Sequence, residues 1–160
     1  MKSQKGLTLA GTIFFVLIIA FIVFGVVYYV RMQATKEELE DMKTDLLLVQ
    51  AKVKKISSDY ILENKDEVLI GTKLTEVKEE PAIQEFLNQN SIDTEEKDKK
   101  YYVINQQNLN EMGLPQVKLK EDAYYIVEYT DGAVYYTKGY KLEGNSYYDI
   151  NNIEGLKLEQ

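Results

Sequence analysis

The sequence contains no cysteine, no histidine and no tryptophan, and these absences remove whole classes of chemistry. Without cysteine no disulfide can brace a small domain, so its stability has to come from packing, and sulfur gives no clue to redox compartment. Without histidine or cysteine the usual catalytic triads and thiol nucleophiles cannot be built. The carboxylates of Asp122, Glu128 and Asp149 have no neighbouring motif that would assign them acid and base roles, so neither an enzyme activity nor a catalytic residue is expected. Proline is also scarce, at two residues, and between Val26 and Ile70 there is neither proline nor glycine. Nothing in that stretch would break a helix.

Charge is missing from one long segment. From Leu7 to Val30 no residue is charged, and 24 residues of helix at about 1.5 Å each span about 36 Å, more than the roughly 30 Å hydrocarbon layer of a bilayer. Sixteen of those 24 residues are Leu, Ile, Val or Phe. At about 0.3 to 0.6 kcal/mol each near the bilayer centre, insertion is favoured by up to ~5 to 10 kcal/mol. A cleaved secretory signal would have an apolar core of about 7 to 15 residues followed by a small-x-small site, whereas here Tyr28, Tyr29, Val30 and Arg31 follow a longer run. The segment therefore reads as a retained transmembrane helix. Lys2 and Lys5 place its leading end on the cytoplasmic side, weakly opposed by Arg31 and Lys36.

Setting aside Lys2 and Lys5, 17 of the 19 basic residues remain against 26 acidic ones, a balance of −9 for the rest of the chain. Such a surface argues against nucleic acid or anionic lipid as a partner, because both reward clusters of Lys and Arg. Asp93, Glu95, Glu96 and Asp98 make an acidic run, but the ordered glycine and bidentate glutamate of an EF-type calcium loop are lacking. No metal or other cofactor is expected.

With 160 residues the chain has room for one domain beyond its anchor. After the apolar run, Leu39, Met42, Leu46, Val49, Val53, Ile56 and Tyr60 recur at alternating spacings of three and four, which puts them on one stripe of a helix. Lys36, Glu37, Glu40, Lys43, Lys52 and Lys55 lie off that stripe. One helix from about Leu7 to about Leu62 is expected, apolar in its first half and amphipathic in its second. Beyond it, Val68 to Leu74 reads as a short extended piece. Pro81 to Asn88 reads as a helix opened by its proline, with Ile83, Phe86 and Leu87 on its apolar face.

The last sixty residues hold ten of the thirteen tyrosines and read as the β-rich part. Tyr101 to Ile104 is a strand, Gln107 to Met112 a short helix ended by Gly113 and Pro115, and Val117 to Lys120 extended. Ala123 to Tyr129 and Ala133 to Thr137 flank Thr130, Asp131 and Gly132, where the Asp-Gly pair signals a tight hairpin. A second hairpin joins Tyr140 to Leu142 with Tyr147 to Ile150. The tyrosine pairs 101/102, 124/125, 135/136 and 147/148 place one ring on each face of a sheet, one row meeting the helix and the other meeting solvent.

At the amino end, Lys5, Gly6, Leu7, Thr8 and Leu9 lead into the uninterrupted apolar helix. This arrangement resembles the class III signal of type IV pilins and type II secretion pseudopilins. Over the whole chain, a helix apolar then amphipathic followed by a small β-rich head is similar to the plan of those subunits. The resemblance implies cleavage by a prepilin peptidase between Gly6 and Leu7, N-methylation of Leu7, and packing of the apolar halves with other pilin-like subunits in a filament. It departs from the family at Gly11, where most members carry a glutamate five residues into the mature chain. A carboxylate in lipid is costly unless paired, so its replacement removes both an assembly contact and a cost. The tip subunit of type II pseudopili shares this departure, which fits a minor, priming or tip role.

The expected architecture is thus α+β: a leader over 1–6, a transmembrane helix over 7–30, its amphipathic continuation over 31–62, and a small extracytoplasmic head over 63–160 built on an antiparallel sheet. The expected function is assembly in a type IV pilus, DNA-uptake or type II secretion type filament. A second reading stays open at this point. A single-pass, signal-anchored interaction protein, similar to small cell-division membrane proteins, would use the Leu39 to Tyr60 stripe to form a coiled coil with another chain. The stripe discriminates the two, since a pilin-like subunit covers it with its own sheet.

Overall fold

The computed structural model describes residues 4–63, 68–90, 92, 98–142, 144–154 and 156, with the backbone alone described for 4–12, 33, 34 and 154. The fold is α+β, a long amino-terminal helix followed by a small antiparallel sheet. Two compact units divide the chain, Met1–Glu40 and Asp41–Gln160. The helix α1, Gln4–Glu63, contributes to both. It begins at Gln4, slightly before the expected Leu7, and runs through Gly6 and Gly11 without a break.

In the first unit every side chain from Ile13 to Arg31 is exposed, including Phe21 at 77% and Phe24 at 73%. A soluble surface seldom carries so long an apolar patch. By length and composition α1 is a candidate membrane span.

The second unit is built around a four-stranded antiparallel sheet in the order β1-β2-β3-β4, with β1 at Thr72–Lys73, β2 at Tyr101–Ile104, β3 at Tyr125–Glu128 and β4 at Ala133–Tyr136. Register places Tyr102, Val127 and Val134 side by side, and likewise Ile104, Tyr125 and Tyr136. These six share one sheet face and all are buried. The α1 residues Met42, Leu46, Val49, Val53 and Ile56 are buried too. Several contacts bind that part of α1 to the sheet: the Ser57 hydroxyl donates to the Tyr129 carbonyl, Gln50 Nε2 donates to the Gly132 carbonyl at 3.4 Å, and the Lys100 ammonium lies 4.8 Å above the Tyr60 ring. Five buried aliphatic side chains at about 1.5 to 3 kcal/mol each contribute roughly 10 kcal/mol before entropy is counted.

The opposite face is also covered, and here the expectation of a solvated tyrosine row is corrected. Helix α3, Pro81–Gln89, opens with its proline in the first turn as expected. It drives Ile83 and Phe86 into a cluster with Leu74, Val103, Ile126 and Tyr148. Tyr101, Tyr124 and Tyr135 pack at the rim of that cluster, half-buried, and Phe86 meets Tyr135 and Tyr148 with ring centroids 5.8 and 5.2 Å apart. The sheet is therefore a middle layer between α1 and α3. Its second tyrosine row rests on an aromatic floor because Phe86 reaches it.

Other local expectations change for identifiable reasons. Of the expected extended piece over 68–74, only Thr72–Lys73 pairs as strand, and Leu74 begins the single-turn helix α2, Leu74–Val77. Helix α4, Gln106–Glu111, starts at a reciprocal cap: Asn108 N donates to Asn105 Oδ1 at 3.0 Å, and Asn105 N to Asn108 Oδ1 at 3.1 Å. Val117 to Lys120 forms no strand. The Gln106 amide takes the part of a neighbouring strand there, donating to the Val117 carbonyl at 3.0 Å and accepting from Leu119 N at 2.9 Å. The second hairpin pairs β5, Tyr140–Leu142, with β6, Asn145–Tyr147. Its expected extension to Ile150 instead turns into α5, Ile150–Glu154, capped by Asp149 Oδ1, which accepts from Asn151 N at 3.0 Å and Asn152 N at 3.1 Å.

Candidate functional site

The residues singled out in the sequence fall into three places. Gly6, Leu7 and Gly11 lie in the part of α1 where only the backbone is described, and it is helical. The side-chain surroundings of the expected processing site lie outside the described residues. The apolar stretch from Ile13 onward presents an uninterrupted exposed surface. The stripe is buried at Leu39, Met42, Leu46, Val49, Val53 and Ile56, and half-buried at Tyr60. Its phase is sharp, since Leu46 is 1% exposed and Leu47 beside it 48%. From Met42 to Tyr60 its cover comes from the chain's own second unit.

The surface between α1 and the sheet is apolar but carries ordered polar groups. The Tyr129 hydroxyl donates to the Ile70 carbonyl at 2.8 Å, and its ring stands edge-on to Tyr102 at 5.4 Å. Burial pushes the hydroxyls of Tyr125 and Tyr129 well above the ordinary tyrosine range, with the Asp45 carboxylate adding to the effect at Tyr125. Asp45 itself is raised, first by its own burial and then by its neighbour Asp41. In all three the shift has the direction that burial gives an acid, against the charged form.

The three carboxylates without a motif have structural work or are exposed. Glu128 is 1% exposed, and its carboxylate accepts from Thr130 N at 2.8 Å, Asp131 N at 2.6 Å and Lys100 N at 3.1 Å. Gly132 N donates to its carbonyl at 2.9 Å. The hairpin expected at Asp-Gly forms, β3 pairing antiparallel with β4, and its turn is a four-residue loop, Tyr129 to Gly132, wrapped on a buried carboxylate and one residue longer than the expected Thr130 to Gly132. The sequence offered no signal for this role, because Glu128 alternates like any strand residue. Asp149 caps α5, and Asp122 is exposed with φ of 51°. The acidic residues Asp93, Glu95 and Glu96 lie outside the described residues, while Asp98 is exposed. Among the described residues no group of three acidic side chains is placed to hold a metal.

Two polar clefts open on the second unit. One, of about 240 Å³, lies between α3 and the β5–β6 hairpin, with Glu85 and Gln89 among its α3 residues and Lys138 and Lys141 opposite them in sequence. Across it the Tyr148 hydroxyl bonds Gln89 Oε1. The other, of about 270 Å³, lies along β4 beside Gln50 and the start of α5. Neither brings together a nucleophile, a base and an oxyanion donor. No family model, curated protein or solved structure matches this chain.

Proposed function

We propose that the chain is a pilin-like structural subunit, anchored in the cell membrane by the first half of α1 and carrying its second unit outside the cytoplasm. Its work is assembly, not catalysis, in a filament of the type IV pilus, DNA-uptake or type II secretion kind. The observation that carries this reading is the cover on the amphipathic part of α1. Met42, Leu46, Val49, Val53 and Ile56 are buried within the unit that holds the sheet, so this stripe is already used within one molecule. A coiled coil formed by the same stripe would have to displace that cover, which counts against the interaction-protein reading. The exposed apolar segment starting at Ile13 supports a span in lipid and, after extraction, a core made with neighbouring subunits. The motif residues add the processing step: a prepilin peptidase cuts between Gly6 and Leu7, Leu7 is methylated, and Gly11 in place of an acid suits a minor or tip position.

The amino-terminal residue of protein isolated from its own membrane tests this. Methylated Leu7 is expected, and Gly6→Leu is expected to leave the chain uncut. An intact Met1 in cells that possess the peptidase would overturn the proposal.

A further inference from the structure

Arg31 is the only arginine among the 19 basic residues of the chain, and its place in α1 is specific. The unbroken run of exposed apolar side chains that starts at Ile13 ends at Val30. Tyr28 and Tyr29, 66% and 56% exposed, stand at the close of that run, and Arg31, itself exposed, follows Val30 directly. Rings with one apolar and one polar end settle at the level of lipid headgroups, so the two tyrosines mark where the span leaves the hydrocarbon. Arg31 lies about 3 Å further along the axis than Tyr29, and therefore at the same level.

Helix continuity then decides what Arg31 meets within its own helix. The Thr35 hydroxyl donates to the Arg31 carbonyl at 2.9 Å, and α1 continues through this point without a break. A side chain on a helix surface meets those three and four residues away. For Arg31 these are Val27, Tyr28, Ala34 and Thr35, none of them acidic, and no acid precedes Glu37 in the chain. Lys36 differs, because Glu40 stands four residues on, within reach of an ion pair along the helix. The helix thus carries a guanidinium at headgroup level with no carboxylate one turn to either side.

Arginine is also the cation that a phosphate selects. Its planar fork of donors matches two phosphate oxygens at once, and it is more weakly hydrated than an ammonium, so less is lost on entering an interface. Elsewhere this chain draws its positive charge from lysine alone.

We propose that Arg31 grips the phosphodiester of a membrane phospholipid in the leaflet at the carboxyl end of the span. A zwitterionic headgroup suffices, because the contact is to the phosphate itself and one arginine is not the basic cluster that anionic lipid rewards. This contact rests on the membrane anchor proposed above and is independent of processing at Gly6.

A sole arginine makes the test specific to one residue. The full chain, isotope-labelled at arginine Cζ, is inserted into phosphatidylcholine vesicles in phosphate-free buffer, and the carbon–phosphorus dipolar coupling is read by solid-state NMR. Two N–H···O bonds of about 2.8 Å bring Cζ within about 4.5 Å of phosphorus, so at a recoupling time set for about 5 Å more than about half of the Cζ signal should be lost. The double variant Arg31→Gln/Glu37→Arg moves the only arginine about 9 Å along the helix axis, and the loss should then fall below about a tenth. A chain that stays free of the vesicles would overturn the anchor and this contact with it. In a chain that does insert, no loss at Arg31, or an equal loss in the double variant, would overturn the contact alone. A loss that appears only after inorganic phosphate is added would assign the site to free phosphate and overturn it as well.

Discussion

Replacing Glu128 by Gln changes one heavy atom and tests whether the buried carboxylate organises the β3–β4 loop. Oε1, which accepts from both Lys100 N and Thr130 N, can be retained as the amide oxygen. Oε2 then becomes an NH2 group facing the Asp131 N–H, which now sits 2.6 Å from it. One charge-assisted bond is lost and two donors confront each other. Bonds to charged groups contribute about 1.5 to 3 kcal/mol, and leaving a buried donor unmade adds to this. Flipping the amide is worse, since two N–H donors would then meet the NH2 group. A loss of about 2 to 3 kcal/mol is expected, which at about 4 °C per kcal/mol lowers the melting temperature by about 8 to 12 °C. The assay is thermal unfolding followed by circular dichroism in the tyrosine region, with Glu121→Gln on the exposed surface as the control. If Glu128→Gln melts within 2 °C of the unsubstituted chain (a margin of roughly 0.5 kcal/mol), the three amides do not depend on the carboxylate and the reasoning fails.

Three further outcomes are expected. Leu46→Ala should cost about 2 to 5 kcal/mol in urea unfolding while Leu47→Ala next to it stays within about 0.5 kcal/mol, and equal costs would refute the phase assigned to the stripe. Gly71→Ala should destabilise by more than about 2 kcal/mol, because φ of 109° is combined with a Cβ only 2.7 Å from the Val103 carbonyl oxygen, whereas Gly144→Ala, with φ of 85° and open space around it, should show only the backbone cost of about 1 kcal/mol. Asp45→Asn should stabilise the fold at pH 7, because the folded state raises the pKa of Asp45 and so disfavours its ionised form. The unsubstituted chain should accordingly lose stability as pH rises from the unfolded value of about 3.9 through the folded one, and its deficit against Asp45→Asn should disappear below about pH 4; a gap that stays constant from pH 7 to pH 3.5 would refute it.

The parts of this protein that were legible in its sequence rest on short-range periodicity. The uncharged run after Leu7 and the alternating three-and-four spacing from Leu39 to Tyr60 are properties of one helix, and each residue's place on the helix follows from 3.6 residues per turn whatever lies nearby. Pro81 and Gly113 marked helix ends through their own backbone preferences, and the four tyrosine doublets marked a two-faced sheet. The tertiary structure alone decided what covers each face. Phe86 reaches the second tyrosine row from another element, Gln106 stands in for a strand beside Val117, and Glu128 gathers amides from Lys100 as well as from its own loop. These pairings join residues remote in sequence, so no local pattern encodes them; they are selected by which buried polar groups and apolar surfaces the folded chain must satisfy together.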